Sequence, residues 1–116
     1  MSDRLTIFML LKALPAWLAL SRDERARIAR TAFASALTDP SVRHRHFDAE
    51  AFSGCASDVA MFEAEDLHSY YFAIERLRDS AIFAHPYFEV VDIIPTIEDG
   101  YRAFEAEQAD AGGAHG

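Results

Sequence analysis

Two short stretches of this sequence are apolar on both side-chain parities, Leu5 to Leu11 and, largely, Tyr87 to Ile94. Successive strand residues point to opposite faces, so a strand apolar on both parities must be covered on both sides. In a chain of 116 residues, every other element has to be arranged around that demand. A short helix is the competing reading of Leu5 to Leu11; the brevity of the run and the stop at Pro15 favour a strand.

Between these two strands the pattern alternates. Pro15, Ala16 and Trp17 form a connection with room for one helical turn. Ser21 followed by Glu24 is a capping-box pattern. It opens a helix from Arg22 to Leu37, with Ala26, Ile28, Ala29, Ala32, Phe33 and Leu37 at helical spacing. Asp39-Pro40 ends it, because a residue before proline avoids the α region. A polar strand, Val42 to Asp48, carries Arg43, His44, Arg45 and His46, and so many polar groups place it at a sheet edge. A turn containing Ser53-Gly54 leads to a strand from Ser57 to Phe62. A second helix runs from Glu65 to Arg78, with Leu67, Tyr70, Tyr71, Ile74 and Leu77 as its apolar stripe and acidic and basic ends that suit the macrodipole. Ser80 to Pro86 reads as a loop, and the last strand stops at Pro95. A short helix from Ile97 to Glu107 closes a single domain, residues 1–107, and 108–116 reads as a flexible tail.

The order strand, helix, strand, strand, helix, strand is the split βαβ, ferredoxin-like α+β arrangement, βαββαβ. Two helices roof one face of a four-stranded sheet. Exposing four to six apolar side chains on the other face would cost about 1.5–3 kcal/mol each, and the bare patch would exceed what monomers usually expose. The expectation is a homodimer of the dimeric α+β barrel type, sheet against sheet across a two-fold axis. The alternative is a monomer whose C-terminal helix folds over the second face.

Charge narrows the partners. Eleven basic against nineteen acidic residues give a net charge of −8, and Lys12 is the only lysine. Nucleic acid and anionic membrane surfaces both require a basic footprint that this chain lacks. Leu5 to Leu20 has the look of a signal segment, but Asp3 offsets Arg4, Lys12 interrupts the run, Pro15 breaks it, and it is too short to span a bilayer. With a single cysteine, Cys55, an internal disulfide is impossible, and the expected location is cytoplasmic.

Four strings occur in order: TIFMLLKALPAWLALS at residues 6–21, FDAEAFS at 47–53, SDVAMFE at 57–63 and YFEVVDIIPTIEDGY at 87–101. On these the chain resembles the darcynin family of small bacterial proteins. The resemblance runs from Thr6 to Tyr101 and implies a shared relationship; none of the strings is a catalytic signature, and it implies no activity. The His44-Arg45-His46 run is not matched to the family. The architecture is similar to that of dimeric α+β barrel proteins, which include cofactor-free monooxygenases, isomerases, haem proteins and stress proteins, so fold alone selects no chemistry.

The candidate ligand-binding residues are Lys12, Trp17, Asp48 and Asp58. Lys12 ends the most apolar strand, where a lysine can bind an anionic group or snorkel to water. Asp58 opens a strand beside apolar neighbours, where desolvation can shape a general base, while carboxylates at strand ends are more often solvated. Trp17 and Phe52 belong to the aromatic supply that lines small-molecule pockets; Tyr70 and Tyr71 read as core or dimer contacts, and Phe72 falls off the stripe. His44 and His46 share one strand face with Asp48, a spacing that suits metal ligands and equally suits a polar edge strand. A third ligand and a second shell are missing from that reading. No metal and no cofactor are therefore assigned, and no glycine-rich phosphate loop, nucleophile signature or zinc pattern is present. The expectation is a small molecule bound between sheet and helices. The alternatives are an interaction module without a pocket and a metal-dependent enzyme using His44 and His46.

Overall fold

A computed structural model describes residues 4–115, with side chains through Ala111. Asp3 and Gly116, and the side chains of residues 112–115, lie outside the described residues. The elements in chain order are β1 (Leu5–Ala13), α1 (Pro15–Leu18), α2 (Arg22–Ala36), β2 (Val42–Asp48), β3 (Asp58–Ala64), α3 (Leu67–Arg78), α4 (Ala81–Ala84), β4 (Phe88–Thr96) and α5 (Gly100–His115).

β1 sits inside a four-stranded antiparallel sheet of order β2-β3-β1-β4. Its even and odd residues part between two environments. Ile7, Met9 and Leu11 are buried under the helices. There they meet Phe62 and Ala60 of β3, Ala32 and Ala36 of α2, and Ala73, Ile74 and Leu77 of α3 in one core. Phe8 and Leu10 face the other way, beside their cross-strand partners Met61 and Val59. The ferredoxin-like arrangement of the sequence reading is thus present, with β2 at an edge.

Local chemistry accounts for the helix ends. The Ser21 side chain accepts from the Glu24 backbone at 3.2 Å, and the Glu24 carboxylate accepts from the Ser21 backbone at 3.2 Å, completing the capping box. Arg76 donates to the Ala36 carbonyl at 3.0 Å and ties α3 to the end of α2. Asp66 caps α3 by accepting from the Ser69 backbone at 2.7 Å, so α3 begins at Leu67 and not at Glu65.

Other boundaries and faces differ from the sequence reading. Pro95 lies within β4, opposite Ile7, because β4 is the second edge strand and needs no N–H donor on its outer side. Ala26, Leu67 and Tyr71 are exposed, since α2 packs through Ala32 and Ala36 and α3 through Ala73, Ile74 and Leu77. Ser80 to Pro86 contains α4, which buries Ile82. The last helix begins at Gly100 and runs to His115, so it starts later than Ile97 and continues past the expected end at Glu107. None of its described residues is buried, Tyr101 and Phe104 are exposed, and it packs extensively on no other element. The second face of the sheet is therefore not covered by α5.

Phe62 has no exposed surface and Phe52 is 93% exposed. In urea denaturation, Phe62→Ala is expected to lower stability by about 3–5 kcal/mol. Phe52→Ala should change it by no more than about 0.5 kcal/mol.

Candidate functional site

The hairpin of β2 and β3 places four polar residues on the helix side of the sheet. Its register sets His44 opposite Phe62, His46 opposite Ala60 and Asp48 opposite Asp58. All of these residues have the same parity, so they share the face occupied by the core. His46 Nε2 donates to Asp58 Oδ2 at 2.7 Å. His46 Nδ1 and His44 Nε2 are 3.3 Å apart. With the His46 proton held toward the carboxylate, Nδ1 is the acceptor and His44 Nε2 the donor. Ser57 completes the chain, donating to Asp58 Oδ1 at 2.6 Å, and its own oxygen accepts from the Ala13 backbone at 2.8 Å.

His44 lies flat on Phe33, with ring centroids 4.2 Å apart and planes 10° from parallel, and tilts against Phe62 at 5.2 Å. Burial between these rings, with a smaller contribution from the nearby His46, pushes its pKa down to about 4. Burial opposes ionisation of Asp58, but the hydrogen bonds from His46 and Ser57 outweigh it and hold the carboxyl below its ordinary value. At neutral pH Asp58 is therefore a carboxylate that orients the His46 ring, and His44 behind it is neutral. A carboxylate-oriented histidine is an arrangement that can take up or return a proton.

This chain stands at the wall of a cavity of about 360 Å³ between the sheet and the helices, whose other walls include Leu11, Phe33, Ile82 and Phe88. A second, more polar cleft of about 480 Å³ adjoins it and includes Lys12, Arg25, Glu50 and Cys55. Trp17, Asp48 and Asp58 line both. Trp17 is set by tilted ring contacts with Tyr87 and Phe88, at 5.6 and 4.9 Å between centroids. Arg25 is fixed by the carbonyls of Trp17 and Leu18, at 3.1 and 2.8 Å.

Lys12, Trp17, Asp48 and Asp58 thus all border the outer cleft, and three of them the inner cavity. Lys12 follows buried Leu11 on β1, so its side chain starts from the opposite face and lines only the outer cleft. Phe52 lines neither, and Tyr70 packs at the core edge against Phe62. Phe33 was read only as core; its place on the cavity wall depends on where α2 crosses the sheet. The partnership of His46 with Asp58 was missed too. Its signal was present: a hairpin turning near Ser53 pairs residues whose numbers sum to a constant, Asp48 with Asp58 obeys it, and His46 is then the diagonal neighbour of Asp58 on the same face.

Fold and site together define a ferredoxin-like α+β protein with a cavity between its sheet and helices. The chain belongs to the Darcynin family, a domain of unknown function, whose profile matches residues 1–111. A Darcynin from Chromobacterium violaceum is 57% identical over 70 residues, covering 60% of this chain and 89% of that protein. Darcynin 1 of Acinetobacter baumannii is 47% identical over 90 residues, covering 77% of this chain and 100% of that one. Among solved structures, a heme-binding protein from Thermus thermophilus superposes with a TM-score of 0.71 at 17% identity, covering 86% of this chain and 43% of that chain. A chlorite dismutase mutant from Candidatus Nitrospira defluvii gives a TM-score of 0.68 at 10% identity, covering 89% and 44%. This chain therefore spans less than half the length of those structures, and the likeness is one of fold. Among the described residues, no helix is long and apolar enough to cross a membrane.

The His44 shift has a consequence for stability. Its folded pKa of about 4 lies below the ordinary 6.5, so between these values the unfolded chain binds a proton that the folded chain does not. The stability it contributes is complete above 6.5 and drains away as pH falls toward 4. Asp58 contributes a separate loss, below its ordinary 3.8. Thermal melts of His44→Phe, which keeps the aromatic stack, should show a flatter dependence than the wild type between pH 6.5 and 4. An unchanged slope would remove His44 as the cause.

Proposed function

We propose that this protein is a homodimeric binding protein of the dimeric α+β barrel type that takes a small, largely apolar molecule into the cavity between sheet and helices. The observation that carries the reading is the Asp58–His46–His44 chain set in the wall of an otherwise apolar cavity. Apolar lining with a few convergent polar groups is the usual composition of a ligand site, and about 360 Å³ lies within the usual range of about 300–1,000 Å³. In this reading a hydroxyl or carbonyl on the ligand meets the histidine–carboxylate end. Trp17 and Phe33 pack against its body, and Asp48 and Lys12 border the entrance from the outer cleft. The setting we propose is cytoplasmic, where an exposed unpaired Cys55 stays reduced.

The dimer rests on the open face of the sheet. Phe8, Leu10, Val59 and Met61 form its centre, and Phe47 and Ile94, each 43% exposed, flank them. Arg43, Arg45, Lys12, Glu63, Glu89 and Asp92 stand around this patch with both signs of charge. A two-fold pairing can match such a rim to itself.

1-Naphthol is a suitable first probe, with two apolar rings and one hydroxyl. Trp17, the only tryptophan, reports its arrival through fluorescence quenching. Ala29→Phe, which fills the cavity, should weaken binding at least tenfold, and Asp58→Asn should weaken it several-fold; wild-type affinity in Ala29→Phe would exclude the cavity. In sedimentation, the wild type should run at twice its 13.0 kDa chain mass. A chain carrying Phe8→Glu and Met61→Glu, with unchanged circular dichroism, should run as a monomer.

A further inference from the structure

We propose that His46, Asp48 and Asp58 form a binding site for a divalent transition-metal cation where the inner cavity meets the outer cleft. One nitrogen and two carboxylate oxygens from these residues lie within 4.8 Å of one another. Metal–ligand bonds of about 2.0–2.2 Å hold ligand atoms about 3–4 Å apart, so side-chain rotations that bring the widest pair together by about 1 Å close the set. A donor set of one imidazole and two carboxylates suits zinc, manganese, cobalt or iron(II) better than calcium or magnesium, which take oxygen ligands.

Charge supplies an argument independent of proximity. Asp48 and Asp58 are direct cross-strand partners on one face, where like charges oppose the pairing. Among the described residues, no side chain donates a hydrogen bond to Asp48 or pairs with it. Lys12 and Arg25 border the same cleft. Yet the Arg25 guanidinium is held by two main-chain carbonyls, and Lys12 sets out from the other side of the sheet. A cation between the two carboxylates removes the repulsion that the register imposes.

The surrounding residues hold the donors in position. Ser57 donates to Asp58 Oδ1 and leaves Oδ2 directed at His46 Nε2. His44, held against Phe33, contacts the far nitrogen of His46. Metal-ligating histidines characteristically use their second nitrogen in this way. Binding through Nε2 moves the His46 proton to Nδ1, where it donates to His44 Nε2; the His44 proton in turn shifts from Nε2 to Nδ1, so the pair holds two protons before and after. His46 and Asp48 are exposed, so the remaining coordination positions open toward the cleft and can hold water or a polar ligand group.

The test uses full-length, tag-free protein stripped with EDTA and titrated with Zn²⁺ by calorimetry and with Co²⁺ by visible absorption. The expected result is one metal per chain at micromolar affinity or better, with a rise in melting temperature on adding Zn²⁺. Asp48→Asn, Asp58→Asn and His46→Gln should each weaken binding at least tenfold, whereas Glu50→Gln, in the same cleft, should not. Among the described residues the Asp48 side chain makes no hydrogen bond, so Asp48→Asn keeps the test decisive if Asp58→Asn disturbs the fold. Absence of stoichiometric binding, or affinities in Asp48→Asn and His46→Gln within twofold of wild type, would overturn the site. Naphthol binding by the EDTA-stripped chain is read separately, so failure of the metal site and failure of the cavity are distinguishable.

Discussion

The placement of β1 between β3 and β4 is the constraint on which the rest of the structure depends. An inner strand can bury both of its faces, and this one needs to. One face meets the core through Ile7, Met9 and Leu11. The other carries Phe8 and Leu10 into an open apolar surface that the helices do not reach. β1 also sets the neighbouring hairpin, because β3 pairs with it residue for residue from Leu5↔Ala64 to Leu11↔Asp58. The position of Asp58 at the end of that ladder, beside the cavity, follows from the pairing.

The site is built by alternation across two strands. Positions 44, 46, 48 and 58 fall on the helix face together with Ala60 and Phe62. Polar groups at the open end of an otherwise apolar face are partly desolvated, and each answers by finding a partner: Asp58 by Ser57 and His46, His46 by His44, and His44 by the faces of Phe33 and Phe62. Asp48 is the exception, and its place opposite another carboxylate gives the hairpin end its affinity for positive charge. The family relationship and the superposition on larger chains agree with this scaffold, and the chemistry has to be argued from the side chains.

Elements governed by local spacing were legible. The capping box at Ser21, the polar strand from Val42 to Asp48 and the apolar parities of the first strand depend on neighbours within a few residues. Elements governed by distant neighbours were not. Pro95 looked like a strand end because its tolerance depends on β4 being an edge. Leu67 and Tyr71 sit at helical spacing with the core residues of α3, yet the helix meets the core through Ala73, Ile74 and Leu77 and leaves them exposed.

By itself, the sequence determined the succession of strands and helices, the apolar character of both faces of β1 and the family to which the chain belongs, because periodicity, capping and motif order are written in consecutive residues. Only the tertiary structure decided that Asp58 meets His46, that His44 is buried against Phe33, and that Trp17, Asp48 and Asp58 stand between two cavities. Those contacts arise from strand register and from the crossing of α2 over the sheet. Both balance the packing of the whole core and cannot be read from any local run of side chains.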